Sequence, residues 1–166
     1  MSTFQRPIAI YYEHPDWFRP LFSELQRRNL PYVELPIGSH AYDPADADTP
    51  YSLVFNRMSP SAYLRGHGDA VFYTQQYLEH LERNHVRVVN GADAWRTEIS
   101  KAYQLSLLRA LRLPYPRARV IHRPEAASAA AQGLRFPIVV KPNIGGSGAG
   151  IRRFETPEAL AESIPT

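Results

Sequence analysis

The chain has 166 residues, 44% of them apolar and 21% charged, enough to bury one ordinary core or two small lobes without staples. It contains no cysteine, which excludes disulfides and thiolate metal sites, and its opening MSTFQRPIAIYYEHPDW is too poor in apolar residues for a signal segment or a membrane span. The net charge of +3 comes from nineteen Lys and Arg against sixteen Asp and Glu, spread along the chain rather than gathered in a basic run, so nucleic acid is disfavoured as a partner; from the lack of a signal segment a cytoplasmic location is expected.

Ile8 to Tyr12 reads as a first strand. A helix is expected from Trp17 to Asn29, with Asp16 as its cap, Pro20 in the first turn, and Phe18, Leu21, Phe22 and Leu25 on one face. Tyr32 to Leu35 makes a second strand. The Asp- and Pro-rich stretch from Pro36 to Pro50 suits an exposed connection, and a third strand is expected at Tyr51 to Phe55. A polar loop follows, then a helix from Ala70 to Asn84 with Val71, Tyr77, Leu78 and Leu81 at helical spacing, then a fourth strand, Val86 to Val89. Short strands alternating with amphipathic helices predict a parallel sheet covered on both faces, a small three-layer α/β domain.

A boundary is expected near Asp93 to Thr97, dividing the chain into 1–94 and 95–166. Beyond it the spacing of Leu105, Leu108 and Leu111 predicts a helix from Ile99 to Leu111, ended ahead of Pro114. A strand (Ala118 to Ile121), an alanine-rich helix (Glu125 to Gln132), a strand (Pro137 to Lys141), a glycine-rich loop, a strand (Ile151 to Phe154) and a helix opened by Thr156-Pro157-Glu158 complete the reading.

Chemistry concentrates in FPIVVKPNIGGSGAGIRRF. Gly145, Gly146, Gly148 and Gly150 surround Ser147, and without a Cβ the backbone amides there are free to turn toward a common anion. No glycine of the chain is followed by lysine, so this is not a Walker A loop, and the turn after the first strand, EHPDWF, has no glycine, which removes a dinucleotide fingerprint. The alternation in IRRF makes the loop a link between two strands, the form of a hairpin flap; a plain hairpin turn or flexible linker is the competing reading.

Lysine occurs only at Lys101, at the start of the amphipathic helix, and at Lys141, at the foot of the loop. A compact ammonium on a flexible stem suits a phosphate, although Lys101 alone would read as a solvated residue mildly disfavoured by the helix dipole. Elsewhere, Arg57 and Ser59 lie in the polar loop after the third strand, at the carboxyl edge where open α/β sheets bind ligands, and Arg57 there suits an acidic substrate, with an ordinary surface arginine as the alternative. The six histidines show no metal-ligand spacing.

Taken together, TEISKAYQLSLLRALRLPYPRARVI and FPIVVKPNIGGSGAGI resemble the first nucleotide-binding subdomain of ATP-grasp proteins, closest in style to RimK-type glutamate ligases and glutathione synthetases. The resemblance implies a parallel-sheet α/β domain preceding the ATP-grasp domain, followed by the first ATP-grasp subdomain and cut before the second lobe. It implies that Lys101, Lys141, Gly145, Gly146, Ser147, Gly148 and Gly150 contact the phosphates of ATP, that Mg²⁺ is held by a later lobe, and that a carboxylate is activated as an acylphosphate for attack by an amine. The partners implied are ATP and a small carboxylate and amine or a peptide; a homo-oligomer is allowed. No catalytic or metal-binding residue is assigned to this chain, which by itself is expected to be inactive. The alternative is a nucleotide-binding or protein-interaction module without catalysis.

Overall fold

The structure, a computed structural model, describes residues 6–146 and 148–164. They form two compact units that part after Ile99.

The first unit is built on a four-stranded parallel sheet of order β2-β1-β3-β4, with β1 at Ile8–Tyr12, β2 at Tyr32–Pro36, β3 at Leu53–Asn56 and β4 at Val88–Val89. β1 pairs on one side with β2 (Ile8 opposite Tyr32) and on the other with β3 (Ile8 opposite Leu53). Successive residues of a strand face opposite sides, and β1 uses both. Ala9 and Tyr11 pack with Val54 against Leu78 and Leu81 of α2 (Ala70–Arg83) and Trp95 of α3 (Ala92–Glu98), while Ile10 and Tyr12 pack against Phe18 and Leu25 beside α1 (Arg19–Arg27). That two-sided burial explains why IAIYY is apolar throughout rather than alternating.

Three local expectations change. α1 starts at Arg19 with Phe18 as a cap that makes no side-chain bond; Asp16 is instead paired with Arg19, and Trp17 stacks on His14 at 4.3 Å between ring centroids. The polar loop after β3 contains a 3-10 turn, Pro60–Arg65, capped by Ser59. The anticipated division at 94/95 falls inside α3: Trp95 is 1% exposed and belongs to the core of the first unit.

The second unit holds α4 (Lys101–Ala110), a short α5 (Ala127–Ala130), an antiparallel pair of β5 (Ile138–Val140) with β6 (Arg152–Phe154), and α6 (Pro157–Glu162). Thr156 caps α6 by accepting the Ala159 amide at 3.2 Å, with Pro157 in the first turn, as its sequence predicts. Ala127, Ala131, Phe154 and Leu160 make its small core. The strand expected at Ala118 to Ile121 does not form; a ladder needs a neighbour, and β5 is bonded only to β6 among the described residues. The leucine stripe of α4 buries none of its residues fully. No described helix is long and apolar enough to cross a membrane.

Buried tyrosines couple the first unit to alkaline pH. Burial and then the Tyr12 hydroxyl's hydrogen bond to Glu34 Oε2, 2.6 Å, push the Tyr12 hydroxyl up to about 12, and burial pushes Tyr11 and Tyr77 upward as well. These folded-state values lie above that of an unfolded tyrosine. Their contribution is therefore fully present below about pH 10 and is lost as pH rises through the folded values. Stability is expected to fall by about 1.4 kcal/mol per pH unit for each such tyrosine between about pH 10 and 12. Urea midpoints measured across that range check it, and Tyr12→Phe should make the decline shallower; an unchanged slope would contradict the assignment.

Candidate functional site

β5 delivers the chain to Lys141 and Pro142, and the loop that follows returns as β6. Gly145, Gly148 and Gly150 have φ of 140°, 75° and 71°, which side chains rarely adopt. Gly150 is held there by packing too, since a Cβ on it would lie 2.7 Å from Pro142 Cγ. The Ala149 amide donates to Gly146 O (3.2 Å) and the Ile151 amide to Gly148 O (3.3 Å), so the loop is a set of tight turns. Ser147 lies outside the described residues.

The loop is tied to the start of α4 by Asn143. Its Oδ1 accepts the Ala102 amide at 2.8 Å, its Nδ2 donates to Ser100 Oγ at 3.2 Å, and its carbonyl accepts the Lys101 amide at 3.1 Å. Ser100 Oγ also caps the Tyr103 amide, and the Gln104 amide closes the first helical bond onto Ser100 O. All four leading amides of α4 are thus satisfied within the unit. The helix terminus is spent on holding the loop.

Lys101 completes the connection. Its Nζ donates to Gly145 O at 3.1 Å and to Asn143 O at 3.4 Å, which explains an ammonium at the positive end of a helix: two loop carbonyls supply the negative potential it needs. Lys141 is exposed and has neither an ion pair nor a hydrogen bond among the described residues. One lysine is therefore docked on the loop, and the other, at its foot, has no side-chain partner among the described residues. Both are cations that can exchange water or a carbonyl for a phosphate oxygen.

Arg57 and Ser59 belong to the first unit. β1 is bonded to β2 on one side and β3 on the other, so the ends of β1 and β3 flank the point where strand order reverses. Arg57 is the residue after β3 and its amide donates to Tyr11 O at 2.7 Å. Its guanidinium lies 5.1 Å from the Phe18 ring centroid and 5.4 Å from that of Phe55, leaving it exposed and oriented by aromatic faces. Its charge also pulls down Glu98, whose carboxyl burial raises. Ser59 Oγ accepts the Ser61 amide at 3.2 Å and shares a bond with Ser61 Oγ at 2.8 Å, so its oxygen serves the 3-10 turn.

Two constellations escaped the sequence reading. Glu13, just after β1 and with a side chain 3% exposed, is gripped by Arg65, whose Nε lies 2.8 and 3.0 Å from its two oxygens, and Arg65 covers Trp17 at 5.0 Å. Asn143 was missed as well. Ser100 is a residue type that caps helices and stands just ahead of α4, whereas nothing local marks Asn143 as its partner. Among the described residues no group of three or more His, Asp or Glu is placed to hold a metal ion.

No protein-family profile and no curated protein matches the chain. Solved structures do. A RimK-domain ATP-grasp protein from Sphaerobacter thermophilus superposes on 94% of this chain and 56% of its own, with a TM-score of 0.69 and 21% identity. The ATP-grasp ligase PsnB, solved with the precursor peptide PsnA2 and AMPPNP, matches 99% of this chain and 62% of its own (TM-score 0.60, 21% identity). D-alanyl-alanine synthetase A from Vibrio cholerae matches 97% and 55% (TM-score 0.65, 14% identity). The chain thus has the mixed α/β fold found in ATP-grasp proteins and spans a little over half the length of these structures.

Proposed function

We propose that this chain is the front part of an ATP-dependent ligase that joins a carboxylate to an amine, with 1–94 or 1–99 forming the acceptor side and the remainder holding the nucleotide phosphates. The observation that carries the reading is Lys101 Nζ docked on Gly145 O, which ties one of the two lysines to the glycine loop that begins beside the other. The fold shared with ATP-grasp ligases supports it.

In this reading Lys101, Lys141 and the loop amides of Gly145, Gly146, Ser147, Gly148 and Gly150 position the triphosphate and offset its charge. The γ-phosphoryl group passes to a carboxylate oxygen as its bond to ADP breaks, and the amine then attacks the acyl carbon and expels phosphate. Little covalent chemistry falls to the protein, so charge placement and exclusion of water are its contribution. Arg57, exposed at the strand-order reversal, would hold the acidic acceptor. The described residues do not fit magnesium: Glu155 is paired with Arg153, and no carboxylate cluster accompanies the loop. None of the described residues would ligate the metal. PsnB was solved with a peptide and the Vibrio enzyme is named for D-alanyl-alanine, so the acceptor class proposed is an amino acid or peptide carboxylate.

Titration of the 166-residue protein with ATP tests the phosphate site. Lys141→Ala is expected to weaken binding at least tenfold, about 1.4 kcal/mol, with Lys101→Ala comparable. Affinity unchanged in both variants, or no nucleotide binding by the unaltered chain, would sink the assignment.

A further inference from the structure

The net charge is divided unevenly between the two units. Residues 1–99 hold nine Lys and Arg against twelve Asp and Glu, whereas 100–166 hold ten against four. Between Glu98 and Glu125 there is no acid at all, while Lys101, Arg109, Arg112, Arg117, Arg119 and Arg123 fall in that interval. Arg112, Arg117, Arg119 and Arg123 are exposed. Among the described residues the ion pair of the second unit is Arg153 with Glu155, so these four have no acidic partner there.

Three of them border an unpaired stretch of backbone. Arg112, at φ 57°, turns the chain out of α4, and from Leu113 to Ile121 it runs without helix, turn or bend. Pro114 and Pro116 hold Leu113 and Tyr115 away from helical conformation. Ile121 packs against the small core of the unit, which fixes the far end of the stretch. The amides of Arg117 to Arg123 donate no backbone hydrogen bond among the described residues. ARVI thus has the composition of a strand and a seat on the unit, and lacks only a neighbour.

The chemistry of that neighbour follows from what the segment offers. A row of free amides beside their carbonyls is matched by a backbone that both accepts and donates, which a polypeptide has and a nucleic acid lacks. Unpaired guanidinium groups at Arg117, Arg119 and Arg123 select carboxylates, and the exposed Tyr115 and Val120 offer apolar contact between them. We propose that residues 117–122 dock an extended acidic segment of another protein, which adds to them as a β-strand. Main-chain hydrogen bonds form the ladder, and Asp or Glu side chains of the partner pair with Arg117, Arg119 and Arg123. This surface uses none of the residues assigned to the phosphates.

The probe is an end-capped octapeptide of alternating Glu and Val, titrated at low ionic strength into the isotope-labelled 166-residue protein and followed by amide NMR and hydrogen exchange. Saturable shifts over 117–122 with a Kd of about 0.1–1 mM are expected. Exchange should slow at every second amide of the segment, because alternate amides of a strand point toward a given neighbour. Replacing both Arg117→Ser and Arg119→Ser, exposed positions whose change leaves the fold in place, should weaken binding at least tenfold, as should about 0.5 M salt. The proposal is overturned if an octapeptide of alternating Lys and Val binds as well, if shifts occur without slowed exchange, or if the double variant changes affinity less than twofold. It is overturned equally if octathymidylate moves these signals while the Glu and Val peptide does not, or if concentrating the protein alone moves them, which would make the occupant a second copy. ATP titrated into the same sample reads the phosphate site separately, so failure of either site leaves the other standing.

Discussion

Trp95→Ala is expected to destabilise the first unit by about 3–5 kcal/mol, enough to leave it unfolded or nearly so at ambient temperature. Trp95 is 1% exposed, packs into the cluster that holds Val54, Leu78 and Leu81, and donates its indole N–H to Val71 O at 3.1 Å. Truncation removes the transfer energy of the largest buried side chain, opens a cavity, and strips Val71 O of this donor. Urea unfolding followed by circular dichroism measures the loss, and Trp95→Phe, which restores most of the volume but not the N–H, should recover a large part of it. A loss below about 1 kcal/mol would mean that α3 is not integral to the first unit.

Gly150→Ala is expected to cost the second unit about 2–4 kcal/mol. Two effects combine. The φ of 71° is unfavourable for any residue with a Cβ, and that Cβ would stand 2.7 Å from Pro142 Cγ, a ring that cannot swing away. Gly148→Ala separates them, since Gly148 has φ 75° but nothing within 4 Å, so its replacement should carry the strain alone, about 1 kcal/mol. Hydrogen exchange at the β5 and β6 amides reads both variants. Equal protection in the two would show that the Pro142 contact contributes nothing.

The sheet was legible because its strands are short apolar runs separated by helices of clear periodicity, and α2 and α6 begin at the residues their patterns indicate. The glycine loop was legible as a strand-to-strand flap, since IRRF alternates as a strand does and pairs with β5. Errors fell where local pattern and tertiary contact disagree. Asp16 has the chemistry of a cap, yet the chain turns for two further residues and Asp16 pairs with Arg19 instead. ARVI has strand propensity, but propensity supplies no partner for its amides.

Composition and periodicity by themselves determined the parallel α/β architecture of the first unit and the strand-loop-strand form of the glycine-rich segment, because each depends on residues close together in the chain. Only the tertiary structure decided that Asn143 clamps the loop to α4, that Lys101 rests on Gly145, that Arg65 closes on Glu13, and that His40 Nδ1 meets the Tyr73 hydroxyl. Each of these joins residues more than thirty positions apart, and such pairings leave no period in the sequence because the fold, rather than the neighbouring residues, brings them within hydrogen-bonding distance.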